Sequence, residues 1–218
     1  MSSLPCPDVG GIGPIRTKYR LDRVVGIVLL FLLLPLAFLI ALAIAVESLA
    51  RREEPAIFVS ERRLSAGRAF DLVKFRIFRV ESHRAHLKDE RLPSLKAIET
   101  SEHLTVIGRV LKRFYLDELP QLLNVARGEM SLVGPRPYFE WDWKREARLD
   151  IPARRLLKGG LVGPFQAVKG QVSGLDAANA IDSQYFEDCL KSSTGELLAR
   201  DLDVIVKSLR TLLRGKGL

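Results

Sequence analysis

The chain has 218 residues, 47% of them hydrophobic, which is enough for one ordinary core with accessory segments rather than two full domains. A formal net charge of +8, from 34 basic and 26 acidic side chains, calls for an anionic partner such as lipid headgroups, phosphorylated substrates or nucleic acid, without choosing among them. The two cysteines, Cys6 and Cys189, are far apart and lack CxxC spacing, which argues against a disulfide framework or a zinc knuckle and fits a reducing compartment.

Residues 1–17 contain Pro5, Pro7, Gly10, Gly11, Gly13 and Pro14 and are expected to form a flexible leader. Their glycines match neither GxGxxG nor GxxxxGK and follow no strand, so a phosphate loop is not expected. Val24 to Val46 is a run of 23 residues without a charge. At about 1.5 Å per residue such a run is long enough to cross a hydrocarbon core of ~30 Å. Pro35 sits at its centre and removes a backbone hydrogen bond, which permits either a kinked spanning helix or a segment that dips in and returns to the same face. Lys18, Arg20 and Arg23 before the run, and Arg51 and Arg52 after it, give both ends a cytoplasmic character and favour the re-entrant topology. The membrane segment with its basic flanks is placed at 18–52.

The remainder, 55–218, is mixed and amphipathic. Ala56–Val59 and Phe70–Val80 are rich in β-branched and aromatic residues and predict strands around a turn at Ser65, Ala66 and Gly67. Phe75 and Phe78, interleaved with Lys74, Arg76 and Arg79, are expected to pack rather than to stack on nucleic acid. His83 and His86 have HxxH spacing inside the charged run Glu81–Arg91, which predicts a solvated polar face rather than a metal site. Leu202, Ile205, Val206, Leu209, Leu212 and Leu213 recur at helical spacing with Lys207, Arg210 and Arg214 on other faces. That pattern fits an interfacial helix on an anionic bilayer and a core helix with a basic outer side equally well.

The densest chemistry lies in Leu116-Asp117-Glu118-Leu119-Pro120-Gln121-Leu122-Leu123-Asn124-Val125 and in Gly128-Glu129-Met130-Ser131-Leu132-Val133-Gly134-Pro135-Arg136-Pro137. Pro120 suits a first helical turn, so a helix is expected to start near it, with Asp117 and Glu118 at its mouth and held ionised by the helix dipole. An ionised carboxylate there can cap, attack as a nucleophile or bind a metal. Arg136, between two residues of fixed φ, suits a bidentate grip on phosphate.

These two strings resemble the signature of the bacterial sugar transferases, the monotopic polyprenyl-phosphate phosphoglycosyl transferases. The resemblance extends to Phe58, Glu61-Arg62, Gly67, Phe70, Lys74-Phe75-Arg76, Gly160-Leu161-Val162-Gly163, Gln166, Gly170, Asp182, Tyr185 and Asp201-Leu202, and covers about 18–215. It implies an α+β, mainly helical fold: a proline-broken re-entrant membrane helix, then a compact cytoplasmic catalytic domain over 55–218 with amphipathic interfacial helices. It further implies an inner-membrane enzyme whose site faces the cytoplasm. That enzyme moves a sugar-1-phosphate from a UDP-sugar to polyprenyl (undecaprenyl) phosphate through a covalent aspartyl-phosphosugar intermediate, initiating glycan or exopolysaccharide assembly. By resemblance Asp117 is the nucleophile, Glu118 works with Mg²⁺, Arg136 lies near the nucleotide or its phosphates, Arg62 lies in the site region, and Asp182 matches a further family carboxylate. Lys112 or Arg113 would contact the carrier phosphate.

The chain departs from the family pattern at Leu34, where a serine is usual before the proline, and at Lys112, where arginine is usual. Arg63-Leu64-Ser65 replaces a usual Val-Gly-Arg, and Gly159, Val162 and Pro164 alter a usual Pro-Gly-Ile-Thr-Gly-Leu. No nucleic-acid partner is expected, and the oligomeric state and the sugar are not encoded in any motif. The alternative from another functional class is a membrane-anchored basic scaffold without catalysis, supported by net charge and the apolar anchor alone.

Overall fold

The structure, a computed structural model, describes residues 9–88, 98–139, 152–168, 172 and 174–213. A 3-10 turn at Val9–Gly11 leads into helix α1, Gly13–Ala50. There follow strands β1, Phe58–Ser65, and β2, Arg68–Phe75; helices α2, Val80–Lys88, and α3, Val106–Arg113; a 3-10 turn, Leu116–Glu118; and α4, Gln121–Arg127. The chain then forms β3, Ser131–Val133; β4, Tyr138–Phe139; α5, Pro152–Leu156; β5, Gly160–Val162; α6, Pro164–Ala167; α7, Leu175–Lys191; and α8, Thr194–Leu213. Helix dominates, as the α+β expectation requires. The chain divides into two compact units, one of Met1–Leu30, Arg62–Leu72 and Leu122–Leu218, the other of Phe31–Glu61 and Val73–Gln121.

The leader expectation for 1–17 fails over its second half. Helix α1 starts at Gly13, because Pro14 pre-sets a helical φ in the first turn and Ile15 is fully buried against Val133, Leu157, Tyr185, Cys189 and Leu197. Pro5, Cys6 and Pro7 lie outside the described residues. α1 is one helix through Pro35 to Ala50 rather than a helix broken at the proline, and most of the apolar run's side chains are exposed, among them Phe31, Leu32, Phe38 and Leu39.

In the first unit α1 is fastened by charge. Lys18, 2% exposed, pairs with Asp22 at 2.7 Å and with Asp201 of α8 at 2.9 Å, and donates to the Ser131 hydroxyl at 2.7 Å. The Tyr185 hydroxyl donates to the other Asp201 oxygen at 2.6 Å. Higher on the helix, Arg23 donates to the Ala126 carbonyl and Gly26 faces Val125 so closely that a Cβ would stand 2.7 Å from its Cγ1. β3 and β5 pair in parallel, Ser131 beside Gly160 and Val133 beside Val162. A second small core of Phe70, Leu72, Val125 and Met130 backs them.

In the second unit Ile40 and Ile44 of α1 pack with Val59, Phe75, Phe78, Leu104 and Leu111. Phe75 and Phe78 are thus packing residues. Glu47, one turn from the end of α1, accepts the Val106 and Ile107 amides at 2.8 and 2.9 Å, and Thr105 accepts the Gly108 amide, so the start of α3 is capped twice. Gly108 is required there: a Cβ would meet the Ile77 carbonyl at 2.0 Å.

The strands differ from the sequence expectation at both ends. β1 runs on through Glu61 and Arg63, which take the inward positions of the alternation, so charged residues hide its period from a hydropathy reading. β2 stops at Phe75 because Arg76 turns inward, donating to the Ala56 and Phe78 carbonyls and to the Ser48 hydroxyl and pairing with Glu53 at 3.2 Å. The two residues Ala66 and Gly67 both have positive φ and close the hairpin.

Lys18→Met would leave Asp22 and Asp201 without their cation. Breaking a buried pair from one side costs about 3–5 kcal/mol, so the thermal midpoint in detergent should fall sharply; an unchanged midpoint would mean that the network carries no stability.

Candidate active site

The acidic pair belongs to the second unit. α3 ends at Arg113, and Tyr115, at φ 56°, swings the chain into the 3-10 turn that carries Asp117 and Glu118, with Leu116 and Leu119 packed into the core on either side. α4 starts at Gln121, directly after Pro120, as expected. The expected electrostatics are reversed. Asp117 is 1% exposed and neither carboxylate oxygen accepts a hydrogen bond, so it caps nothing. Burial, reinforced by Glu118, pushes its pKa up to about 6 against the opposing pull of Lys112 and Lys74. Desolvation outweighs the dipole of a seven-residue helix.

Lys74 is the residue the sequence reading missed. Its ammonium stands 3.8 Å from Glu118 and 3.7 Å from Glu61, all three buried. The available signal was a lysine in the inward register of β2, after Phe70 and Leu72. Lys112 is half-buried and held by Glu99 at 2.8 Å, which together with the acidic pair raises its pKa despite burial. Arg113 is exposed, 5.8 Å from the Phe114 ring centroid. Among the described residues no group of three or more His, Cys, Asp and Glu side chains could hold a metal. Two adjacent carboxylates, one with both oxygens unpartnered, do suit Mg²⁺, which binds one or two carboxylates and completes its shell with water and phosphate. The HxxH pair is not a solvated face: His86 is buried and His83 stacks on Phe78 at 6.3 Å.

The Pro-Arg-Pro turn belongs to the first unit. Gly134 and Gly160 approach so closely that a Cβ on Gly160 would stand 2.2 Å from the Gly134 amide nitrogen, and this contact fixes the turn where it leaves β3. Pro135 and Pro137 are buried and Arg136 is half-exposed. Asp182 on α7 is buried and paired with Arg154 at 2.6 Å, while the Arg154 guanidinium lies 5.4 Å from the ring of Tyr138, two residues past Arg136. Burial raises the pKa of Asp182 and Arg154 opposes that. Arg62 is exposed at the surface, 3.3 Å from Asp71.

Asp117 takes its pKa from 3.8 to about 6 on folding, so the folded chain holds that proton the more tightly. The associated stability is present below about pH 4 and lost as pH rises through about 6. In metal-free buffer at pH 8, Asp117→Asn should therefore stabilise the fold, by up to about 2–3 kcal/mol, with the gain fading as pH falls from about 6 to about 4. A thermal midpoint at pH 8 no higher than that of the parent would contradict this.

Comparison with known proteins supplies the context for this geometry. The profile of the family described as bacterial sugar transferase matches residues 15–215. The UDP-glucose:undecaprenyl-phosphate glucose-1-phosphate transferase of Caulobacter vibrioides is 34% identical over 90% of this chain and 69% of its own length. The exopolysaccharide production protein ExoY of Sinorhizobium fredii is 30% identical over 96% of this chain and 92% of its own. The undecaprenyl-phosphate galactose phosphotransferase of Salmonella typhimurium is 31% identical over 75% of this chain, and the match spans 34% of that longer protein. The chain belongs to the bacterial sugar transferase family and is an enzyme of the phosphoglycosyl transferase class.

Proposed function

We propose that this enzyme transfers a hexose-1-phosphate from a UDP-sugar to undecaprenyl phosphate, with Asp117 as the covalent nucleophile. The observation that carries the reading is the Asp117 carboxylate, buried with both oxygens unpartnered beside Glu118 and within the electrostatic reach of Lys74 and Lys112. A structural carboxylate would be capped or paired; one kept bare in a low-dielectric turn is poised to form a bond.

In the first step an Asp117 oxygen attacks the sugar-linked phosphorus, the phosphoanhydride bond breaks, and UMP leaves with the bonding pair. In the second, a phosphate oxygen of the carrier attacks the same phosphorus and the Asp117 carboxylate is released. One phosphoanhydride replaces another, so no further energy source is consumed. Glu118 would hold Mg²⁺, which when bound offsets repulsion between carboxylate and diphosphate and stabilises the equatorial oxygens. Lys74 holds Glu118 and adds positive charge. Arg136 grips the nucleotide phosphates. Lys112 is engaged by Glu99, which leaves the exposed Arg113 as the better contact for the carrier phosphate.

The carrier requires a membrane site. α1 is long and apolar enough to enter a bilayer, and no other helix among the described residues is. Folded polar chain is packed on each half of it: the Lys18 network on the first, Glu47 and Arg76 with their partners on the second. The basic residues on both flanks of the apolar run, Arg20 and Arg23 before it and Arg51 and Arg52 after it, support the re-entrant topology with both ends at the cytoplasmic face. The exposed Val106 and Val110 beside Arg109 and Arg113 on α3, with Phe114 at its C-cap, and Leu202, Val206 and Leu209 beside Lys207 and Arg210 on α8, suit helices lying at the headgroup level.

The test is UMP release by purified protein in detergent with Mg²⁺, undecaprenyl phosphate and a panel of UDP-sugars, run beside Asp117→Asn. Release from one donor, abolished in the variant, is expected. Turnover unchanged in a folded Asp117→Asn protein would sink the covalent mechanism, and no release from any donor would favour a non-catalytic scaffold.

A further inference from the structure

Arg63, Leu64 and Ser65, the three residues at the end of β1 that depart from the family pattern, are all buried. Their contacts converge. Arg63, 4% exposed, lays its guanidinium carbon 3.3 Å from the centroid of the Phe139 ring and donates from Nη1 to the Pro137 carbonyl at 3.2 Å. The β1–β4 register puts Arg63 opposite Phe139 and Leu64 opposite Tyr138. The Ser65 hydroxyl donates to the Glu129 carbonyl at 2.6 Å and accepts the Gly159 amide at 2.9 Å, and the Ala66 amide reaches the Leu157 carbonyl. All these partners lie in the two stretches, 129–139 and 157–159, that contain or adjoin the Pro135-Arg136-Pro137 turn.

Burying a guanidinium is costly, and this site uses both features that set arginine apart: a flat face for the ring and edge N–H groups for the carbonyl. Lysine could not satisfy both. These contacts hold the backbone immediately after Arg136, at the Pro137 carbonyl and at the ring two residues later. We propose that Arg63 is a positioning residue that acts through Arg136 to set the enzyme's affinity for the diphosphate of its nucleotide donor, with Ser65 as a second strut. The inference rests on the proposed phosphate-gripping role of Arg136.

The experiment is a double-mutant cycle on the full-length protein in detergent, with the dissociation constant of UDP in the presence of Mg²⁺ measured by calorimetry. Arg136→Ala and Arg63→Ala are each expected to weaken UDP binding, the second by about tenfold, since small misplacements of a positioning group are costly. The double variant should bind no more weakly than Arg136→Ala alone. Arg63→Lys should not restore affinity, and at saturating donor the turnover of Arg63→Ala should stay within about twofold of the parent, because the diphosphate grip is lost equally from the ground state and the transition state. If Arg136→Ala leaves UDP binding unchanged, the role of Arg136 fails and the inference falls with it. If Arg136→Ala weakens binding but Arg63→Ala does not, or the two losses multiply in the double variant, the inference alone is overturned. Should Arg63→Ala fail to fold, Phe139→Leu removes the stacking surface while keeping the guanidinium, and the same cycle then applies with a smaller loss.

Discussion

The Lys18 ammonium, held between Asp22 and Asp201 and bonded to Ser131, allows a helix with a long uncharged middle to begin inside a packed fold. A buried lysine without carboxylates would be strongly destabilising; with them it ties α1 to β3 and α8 in one contact. Glu47 does the corresponding work in the other unit, where its carboxylate holds the first amides of α3. Each end of the long apolar helix is therefore anchored by an ionic or charge-assisted bond, and the uncharged residues between can face lipid.

Against this pattern Asp117 is the exception. Lys18, Asp182 and Arg76 each have an opposite charge at hydrogen-bonding distance, while Asp117 has charges nearby and no bonded partner. Leaving a buried carboxylate in that state costs stability. The proposed role of Asp117 as nucleophile gives that cost a purpose, the familiar opposition between a stable turn and a reactive one. Lys74 is near enough to Glu118 to moderate the negative charge and leaves the Asp117 oxygens unbonded.

Much of this was legible in one dimension. The uncharged run at Val24–Val46, the hairpin turn at Ala66-Gly67, the packing role of Phe75 and Phe78 and the helix after Pro120 all follow from hydropathy, turn chemistry and proline geometry, because those signals are local. The misses share a cause. The inward Glu61 and Arg63 disguised β1, the inward Lys74 disguised a site residue, the burial of His86 contradicted its polar surroundings, and the burial of Ile15 turned the end of a presumed leader into helix. In each case a distant partner or core, which no window of sequence contains, overrode the local preference.

The sequence by itself determined the family, the acidic pair, the Pro-Arg-Pro turn and the existence of an apolar segment, since these depend on residue identity and near spacing. Tertiary structure alone decided the raised pKa of Asp117 and the company each basic residue keeps. Asp117 is starved of partners, Lys112 is claimed by Glu99, Asp182 by Arg154, and Arg63 is turned onto Phe139. The physical reason is that a pKa and an ion pair are set by desolvation and by atoms a few ångströms away in space, and folding, not spacing along the chain, chooses those atoms.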